Sequence, residues 1–405
     1  MTDDWDPRAP EVRDDQIVAY DTLRERCRVA HSRAWGWSLL RHSDVVDALG
    51  DPVTFSNRVS EHVAIPNGMD PPNHTAYRAV VDRCFSTTRV AAFEPQLRDL
   101  TADLIERSVT GRDQVEVMSE LALPFAARAQ CAYLGWPETV ADPLLRWSDR
   151  SALATAKRDR AELDRVAKEF DGIIRDVLTQ TRAGRADGPS SVTVDLLTAD
   201  IDGEALTDDQ LVSMLRNWTV GELGTIAAAV GIICEFLARN ADICGHLRTG
   251  IDQRALDEML RLEAPLISNR RRTTRPVTQT RPVTQTRPVT QNGVSIPSDT
   301  PSDTPSDIPS DAAVTIIWPA AQRDPRAFAE PDQFHLDRPT DLNLLYGRGI
   351  HYCPGEGLSR LELGVFTEVF LDWVPKFALR APAKRAAPPS GGFAEVLLSL
   401  GEQAE

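Results

Sequence analysis

Near the C-terminal end the segment Tyr346-Gly347-Arg348-Gly349-Ile350-His351-Tyr352-Cys353-Pro354-Gly355 places one cysteine in a glycine-rich loop. A helical pattern follows, from Gly357 to about Val374. Glycines at 347, 349 and 355 allow positive backbone dihedrals and a close approach to a flat ligand. The positive N-terminus of the following helix would face the sulfur and lower the thiol pKa, favouring the thiolate that binds iron. The competing reading is a tight turn around a small buried cysteine with no chemistry of its own.

Two further spacings could hold charge. Glu258-Met259-Leu260-Arg261 puts a carboxylate and a guanidinium on one face of a helix predicted over Arg254–Ala264, as a buried ion pair would require. His74 and Arg78 stand four residues apart in the opening turn of a helix after Pro71-Pro72, so they can reach one ligand together. Singly, each pattern is more often a solvated surface feature. Their order along the chain gives them weight.

Taken together, these segments resemble the cytochromes P450. The cysteine loop is similar to the family's haem-binding loop, where an aromatic residue, Gly, His or Arg, Cys and Gly recur at the spacings of Tyr346, Gly349, His351, Cys353 and Gly355. Tyr346 stands where the family usually has Phe. The resemblance implies that Cys353 is the proximal iron ligand of haem b, and that Arg338 completes a Glu258–Arg261 network. It also implies that His74, Arg78, Arg271 and His351 hold the haem propionates. It spans essentially the whole chain, from near Trp37 to the C-terminal strands, and implies a single domain over 1–405 that is mainly α with small β-sheets. The implied activity is a monooxygenase that uses O2 to oxidise a small organic molecule, with electrons from a separate ferredoxin and ferredoxin reductase docking near Arg348 and Arg360. By analogy, substrate would meet Asn217, Val220, Gly221, Leu266, Ile267 and Phe393.

One segment departs from the family. Its long central helix usually carries Ala/Gly-Gly-x-Asp/Glu-Thr, whose acid and alcohol organise proton delivery. Here the run is Thr219-Val220-Gly221-Glu222-Leu223-Gly224-Thr225, so aligning Gly221 puts Leu223 and Gly224 at the acid and alcohol positions. Glu222 and Thr225 are each displaced by one residue, or ~100° around an α-helix. Either replaces its counterpart only if the helix unwinds locally, for which Gly221 and Gly224 offer a π-bulge or kink. Otherwise Glu222 makes an ordinary helix salt bridge and Thr225 packs in the core. Three chemical routes stay open: Glu222 and Thr225 relay protons, the substrate supplies the missing group, or the enzyme uses peroxide. A non-catalytic haem-thiolate sensor is a reading of a different class, separated from an enzyme by turnover.

The surrounding elements fit this frame. Helical periodicity dominates from about Arg89 to Ala264, notably over Glu94–Thr110, Glu162–Thr181 and Asp208–Asn240. Strand-like runs are few: Trp37–Leu40, Val294–Ile296, Val314–Trp318 and Ala394–Leu400. The net charge of −15 argues against nucleic acid as a partner, because phosphate binding needs clustered cations. The acidic N-terminal stretch lacks a signal-peptide core, and no apolar run approaches the ~20 residues of a membrane span, which predicts a cytoplasmic protein without membrane insertion. The six cysteines are scattered with no Cys-x-x-Cys pair, so neither a disulfide framework nor a zinc site is expected.

A repeat interrupts the second half. Arg-Pro-Val-Thr-Gln-Thr begins at Arg275, returns at Arg281 and returns again at Arg287 ending in Asn292, and Pro-Ser-Asp plus one residue recurs from Pro297, Pro301, Pro305 and Pro309. With the extra copies removed, two short strands around Asn-Gly remain, followed by a buried strand. The prolines keep the copies out of a central sheet, and loop lengthening costs little entropy, so 275–312 reads as a repeat-expanded surface hairpin or loop, with a partner-binding arm as the alternative.

Overall fold

The helices form where apolar residues recur every three or four positions. The computed structural model describes residues 4–60, 64–157, 159–184, 191–278, 290–291, 294–295, 307–388 and 390–401. Its longest element is a central helix, Asp208–Arg239, started by a capping box in which Thr207 accepts from the Gln210 N–H while the Gln210 side chain accepts from the Thr207 N–H. Leu211, Leu215, Leu223, Ile226, Val230 and Ile233 of this helix are buried in the main core. Around it pack the helices Leu123–Leu134, Arg160–Arg182, Gln253–Glu263 and Glu356–Trp373. One window of the central helix is long and apolar enough to cross a membrane by composition, with a mean hydropathy of 1.7, which the sequence reading had not found. That window is 67% buried inside the protein, as befits a core helix.

The central helix is α-helical throughout, including Gly221 and Gly224. The local unwinding that would move Glu222 or Thr225 into the family's acid and alcohol positions is therefore not present. Backbone hydrogen bonds and the buried apolar face keep the helix regular despite two glycines.

A five-stranded sheet flanks the helices, in the order Val29–Ser32, Gly36–Leu39, Ala313–Ile317, Ser268–Thr273, Phe55–Ser56. The strand Ser268–Thr273 has no apolar alternation and was not foreseen. It is held by antiparallel pairing on both sides, with Val314 opposite Arg271 and Phe55 opposite Thr273. Strand alternation turns Arg271 and Thr273 inward while Arg270 and Arg272 stay exposed. In the repeat region Thr290–Gln291 pairs antiparallel with Val294–Ser295, matching the expected pair of short strands. Asn292, Gly293 and most of the repeated copies lie outside the described residues. Val277 and Ile308 bridge the two ends of the tract.

The stretch leading to the cysteine loop is fixed by a buried ionic network. Arg261 is fully buried; its Nε donates to Glu258 Oε2 at 2.6 Å and its Nη2 to Glu258 Oε1 at 2.9 Å. Arg338 Nε donates to the same Glu258 Oε1 at 2.7 Å, and the His335 N–H joins it at 3.2 Å. Arg261 Nη1 also reaches the carbonyls of Gln322 at 2.7 Å and Pro331 at 2.8 Å, and the Gln322 side chain holds Asn343 and Leu344 at the entry to the loop. Phe328 lies beneath both guanidinium groups. Removing one member leaves an uncompensated buried charge, so Arg261→Leu is expected to lower unfolding free energy by about 3–5 kcal/mol. Denaturant unfolding with the slope held constant measures this, and a loss under about 1 kcal/mol would mean that the network is not structural.

Candidate active site

The loop before the helix Glu356–Trp373 is shaped by its own backbone. The Cys353 N–H donates to the Tyr346 carbonyl at 2.9 Å, and a short 3-10 turn spans Gly349–His351. Gly349 has φ +73°, and a Cβ there would collide with the Leu49 carbonyl oxygen. At Gly355 a Cβ would lie 3.2 Å from the Phe85 ring and 3.9 Å from Cys353 Sγ. A side chain at either position would therefore strain the loop or crowd the sulfur. Burial pushes the Cys353 thiol up to about 11, outweighing the Gly355 N–H and Arg78, which pull it down. This corrects the expectation of a depressed thiol pKa: desolvation dominates until a metal stabilises the thiolate directly.

Beside the cysteine, the structure gathers the four residues expected to hold carboxylates. His74, 3% exposed at the start of the helix Asn73–Cys84, lies with its ring centroid 4.3 Å from that of His351. Its Nε2 and both ring nitrogens of His351 are buried with no hydrogen-bond partner among the described residues. Arg271 is buried on its strand, and Nη1 donates to the Arg270 carbonyl at 2.8 Å. Burial lowers its pKa to about 10; that of His351 falls to about 3 through burial and then the neighbouring His74 and Arg271. Arg78 is half committed, donating to Asp82 at 2.6 Å and to the Ile350 carbonyl at 3.1 Å, which ties its helix to the cysteine loop.

Buried donors of this kind call for an anion. Among the described residues no three His, Cys, Asp or Glu side chains gather to hold a bare metal ion. A flat ligand carrying two carboxylates and its own metal fits what is present: one cysteine sulfur, a loop stripped of side chains at 349 and 355, and orphaned donors to one side.

The central helix presents Val220, Gly221 and Gly224 on an exposed stripe, with Asn217 at its edge. Val220 is 57% and Leu266 43% exposed, unusual for large apolar residues in the middle of a fold and consistent with a substrate wall. Two expected contacts are displaced. Ile267 is buried in a separate cluster with Tyr20, Leu40 and Ile317, its carbonyl accepting from the Trp318 N–H at 3.0 Å. Phe393 is buried in the main core with the Arg385 guanidinium 5.5 Å over its ring, and its neighbour Gly392 abuts the central helix at Ala228 and Ile232.

The displaced polar pair sits on the flank of that helix. Thr225 Oγ1 donates back to the Gly221 carbonyl. Glu222 makes no salt bridge among the described residues; its Oε2 accepts from Trp218 Nε1, and Trp218 stacks on Phe85 at 4.2 Å. The structure adds a residue that sequence reasoning missed: Glu362, fully buried, meets Glu222 from the helix Glu356–Trp373. The signal was a carboxylate at helical spacing between the core residues Leu358 and Phe366.

The cytochrome P450 family model matches residues 140–390. The chain belongs to that family. It is 26% identical to the cyclomarin C epoxidase CymV of Salinispora arenicola, over 83% of this chain and 82% of that protein. It is 28% identical to the erythromycin C-12 hydroxylase of Saccharopolyspora erythraea, over 86% and 84%. Cytochrome P450 CYP109Q5 from Chondromyces apiculatus superposes with a TM-score of 0.81 at 24% identity, over 99% of both chains. The protein is thus a P450 monooxygenase that works with haem, O2, redox partners and a small organic substrate.

If Arg271 holds a propionate through a charge-assisted bond, Arg271→Leu should weaken haem binding by about 10–100-fold, the equivalent of about 1.5–3 kcal/mol. Haem titration of the stripped protein reads this directly. Unchanged affinity would place the propionates elsewhere.

Proposed function

We propose that Cys353 ligates the iron of haem b and that His74, Arg78, Arg271 and His351 receive its two propionates, with Gly349 and Gly355 leaving room for the macrocycle. The observation that carries this reading is the convergence of buried donors without acceptors beside the single loop cysteine. Haem held by a thiolate supplies dioxygen activation, the sulfur pushing electron density toward O–O cleavage. The protein's share is to orient substrate, exclude water and hold protons.

The substrate is a small molecule of secondary metabolism, hydroxylated or epoxidised, as the names of the epoxidase and hydroxylase relatives suggest. Asn217, Val220, Gly221 and Leu266 offer it a wall that is neither wholly apolar nor charged. Electrons come from a ferredoxin and its reductase in the cytoplasm. Of the two arginines expected at the docking face, Arg348 is the exposed one; Arg360 already pairs with Asp257 at 2.8 Å and Glu356 at 2.5 Å.

Glu222 is the proton donor. It is the carboxyl nearest the open stripe of the central helix, and burial raises its pKa to about 7, where an acid can both give and regain a proton. It acts from the flank of a regular helix. Thr225, whose hydroxyl is tied to Gly221, assists by ordering water.

Glu222→Gln should therefore slow coupled product formation on the order of 10²-fold and divert reducing equivalents to hydrogen peroxide, with substrate affinity nearly unchanged. Thr225→Val should show a smaller effect of the same kind. Wild-type coupling in both variants would remove these residues from proton delivery. Because Leu223 and Gly224 occupy the usual acid and alcohol positions, turnover with added peroxide alone is the second reading, and it stands if reductant and O2 give no product.

A further inference from the structure

Glu222 and Glu362 pose a problem of charge. Glu362 is fully buried, and among the described residues both of its carboxylate oxygens and Glu222 Oε1 lack a donor. The two carboxyls nevertheless lie within hydrogen-bonding reach of each other. Two carboxylates have no proton to share, so as a pair of anions they would repel in a site of low polarity. A single proton between them supplies the missing donor.

We propose that Glu222 and Glu362 form a proton-sharing carboxyl pair that joins the central helix to the helix carrying the cysteine, with Glu362 as the positioning residue that holds the shared proton and donates it toward Glu222. The groups around the pair reinforce this. The Trp218 indole also donates to Glu222, and Cys131 and Tyr133 face it from the helix Leu123–Leu134, both pushed up by burial and so neutral. Cys353 feels the Glu222 charge from the loop. No arginine, lysine or histidine among the described residues stabilises either carboxylate. Desolvation therefore acts unopposed by any cation, and the pair titrates as a unit, with both carboxyls held above the ordinary carboxylate range.

The use of the pair in turnover rests on reading Glu222 as the proton donor. Each proton that Glu222 gives up is replaced from the Glu362 carboxyl, leaving one fewer proton and one more negative charge on the pair until water resupplies it. The existence of the pair does not rest on that reading.

Difference infrared spectroscopy of the haem-loaded protein in H2O and D2O, with glutamate carbon-13 labelling, tests the proposal. A neutral-carboxyl band should persist above pH 7 in the wild type. It should vanish in Glu362→Gln, where Glu222 accepts from both the new amide and Trp218 and ionises, and survive in Glu222→Gln, where Glu362 has no donor stronger than a neutral amide. A band unchanged in Glu362→Gln, or absent from the wild type, overturns the pair. The sign of the stability change gives a second readout. Carboxyls with raised pKa values favour the folded state below about pH 4.5, and that contribution is lost as pH rises toward about 7. The Glu222→Gln/Glu362→Gln double variant should lose less melting temperature than the wild type over that interval, and parallel curves would count against the pair. Should the infrared pattern hold while Glu222→Gln stays coupled, the pair stands and the donor reading falls.

Discussion

Glu258 accepts hydrogen bonds from two arginines that arrive from opposite ends of the cysteine approach, and the geometry of the active site depends on that buried carboxylate. Arg261 brings the helix Gln253–Glu263, while Arg338 brings the irregular stretch before the loop. Through the Gln322 carbonyl and side chain the same network fixes Asn343 and Leu344, three residues and two residues before Tyr346. A segment with almost no regular structure is thereby held as firmly as a helix. Ionic networks of this kind contribute little net stability over an apolar core, but they are intolerant of losing one partner, and that intolerance fixes a single arrangement.

Two neighbouring sites then show opposite electrostatic imbalance. Around His74, His351 and Arg271 the fold concentrates buried donors, with Asp70 as a nearby carboxylate, and burial drives the histidines toward their neutral forms. Across the central helix, Glu222 and Glu362 concentrate acceptors without a cation. On the proposed reading, the first imbalance would be resolved by a ligand carrying carboxylates and the second by a proton. Both sites border the cysteine loop, so the sulfur sits between a binding function and a protonation function.

The positions of the cysteine loop, the Glu258–Arg261–Arg338 network and the four donors were legible because each uses a fixed spacing or order: a glycine loop before a helix, an i,i+3 pair, an i,i+4 pair. The helices were legible for the same reason, those over Glu162–Thr181, Asp208–Asn240 and Arg254–Ala264 to within two residues at their ends, while the one expected from Glu94 begins at Thr87. The strand Ser268–Thr273 was not, since its Arg-rich sequence carries no strand pattern and only its two neighbours hold it in the sheet. Arg271 lies on that strand, while Ile267 just before it packs with Tyr20, Leu40 and Ile317, which explains why Ile267 was misplaced as a substrate contact. Glu362 escaped notice because a lone glutamate on a helix is ordinarily solvated, and only tertiary packing shows it facing another carboxyl. The regular course of the central helix through two glycines was likewise decided by packing.

The central claim is that Cys353 is the thiolate ligand of a haem whose propionates are held independently of it. The carbon-monoxide difference spectrum of the reduced protein tests this most directly, read for the wild type and Cys353→Ser at matched haem content. The wild type should show the strongly red-shifted Soret band of thiolate-ligated haem. Cys353→Ser should retain haem through the donor cluster and lose the red shift. A red-shifted band that survives unchanged in Cys353→Ser would contradict the account.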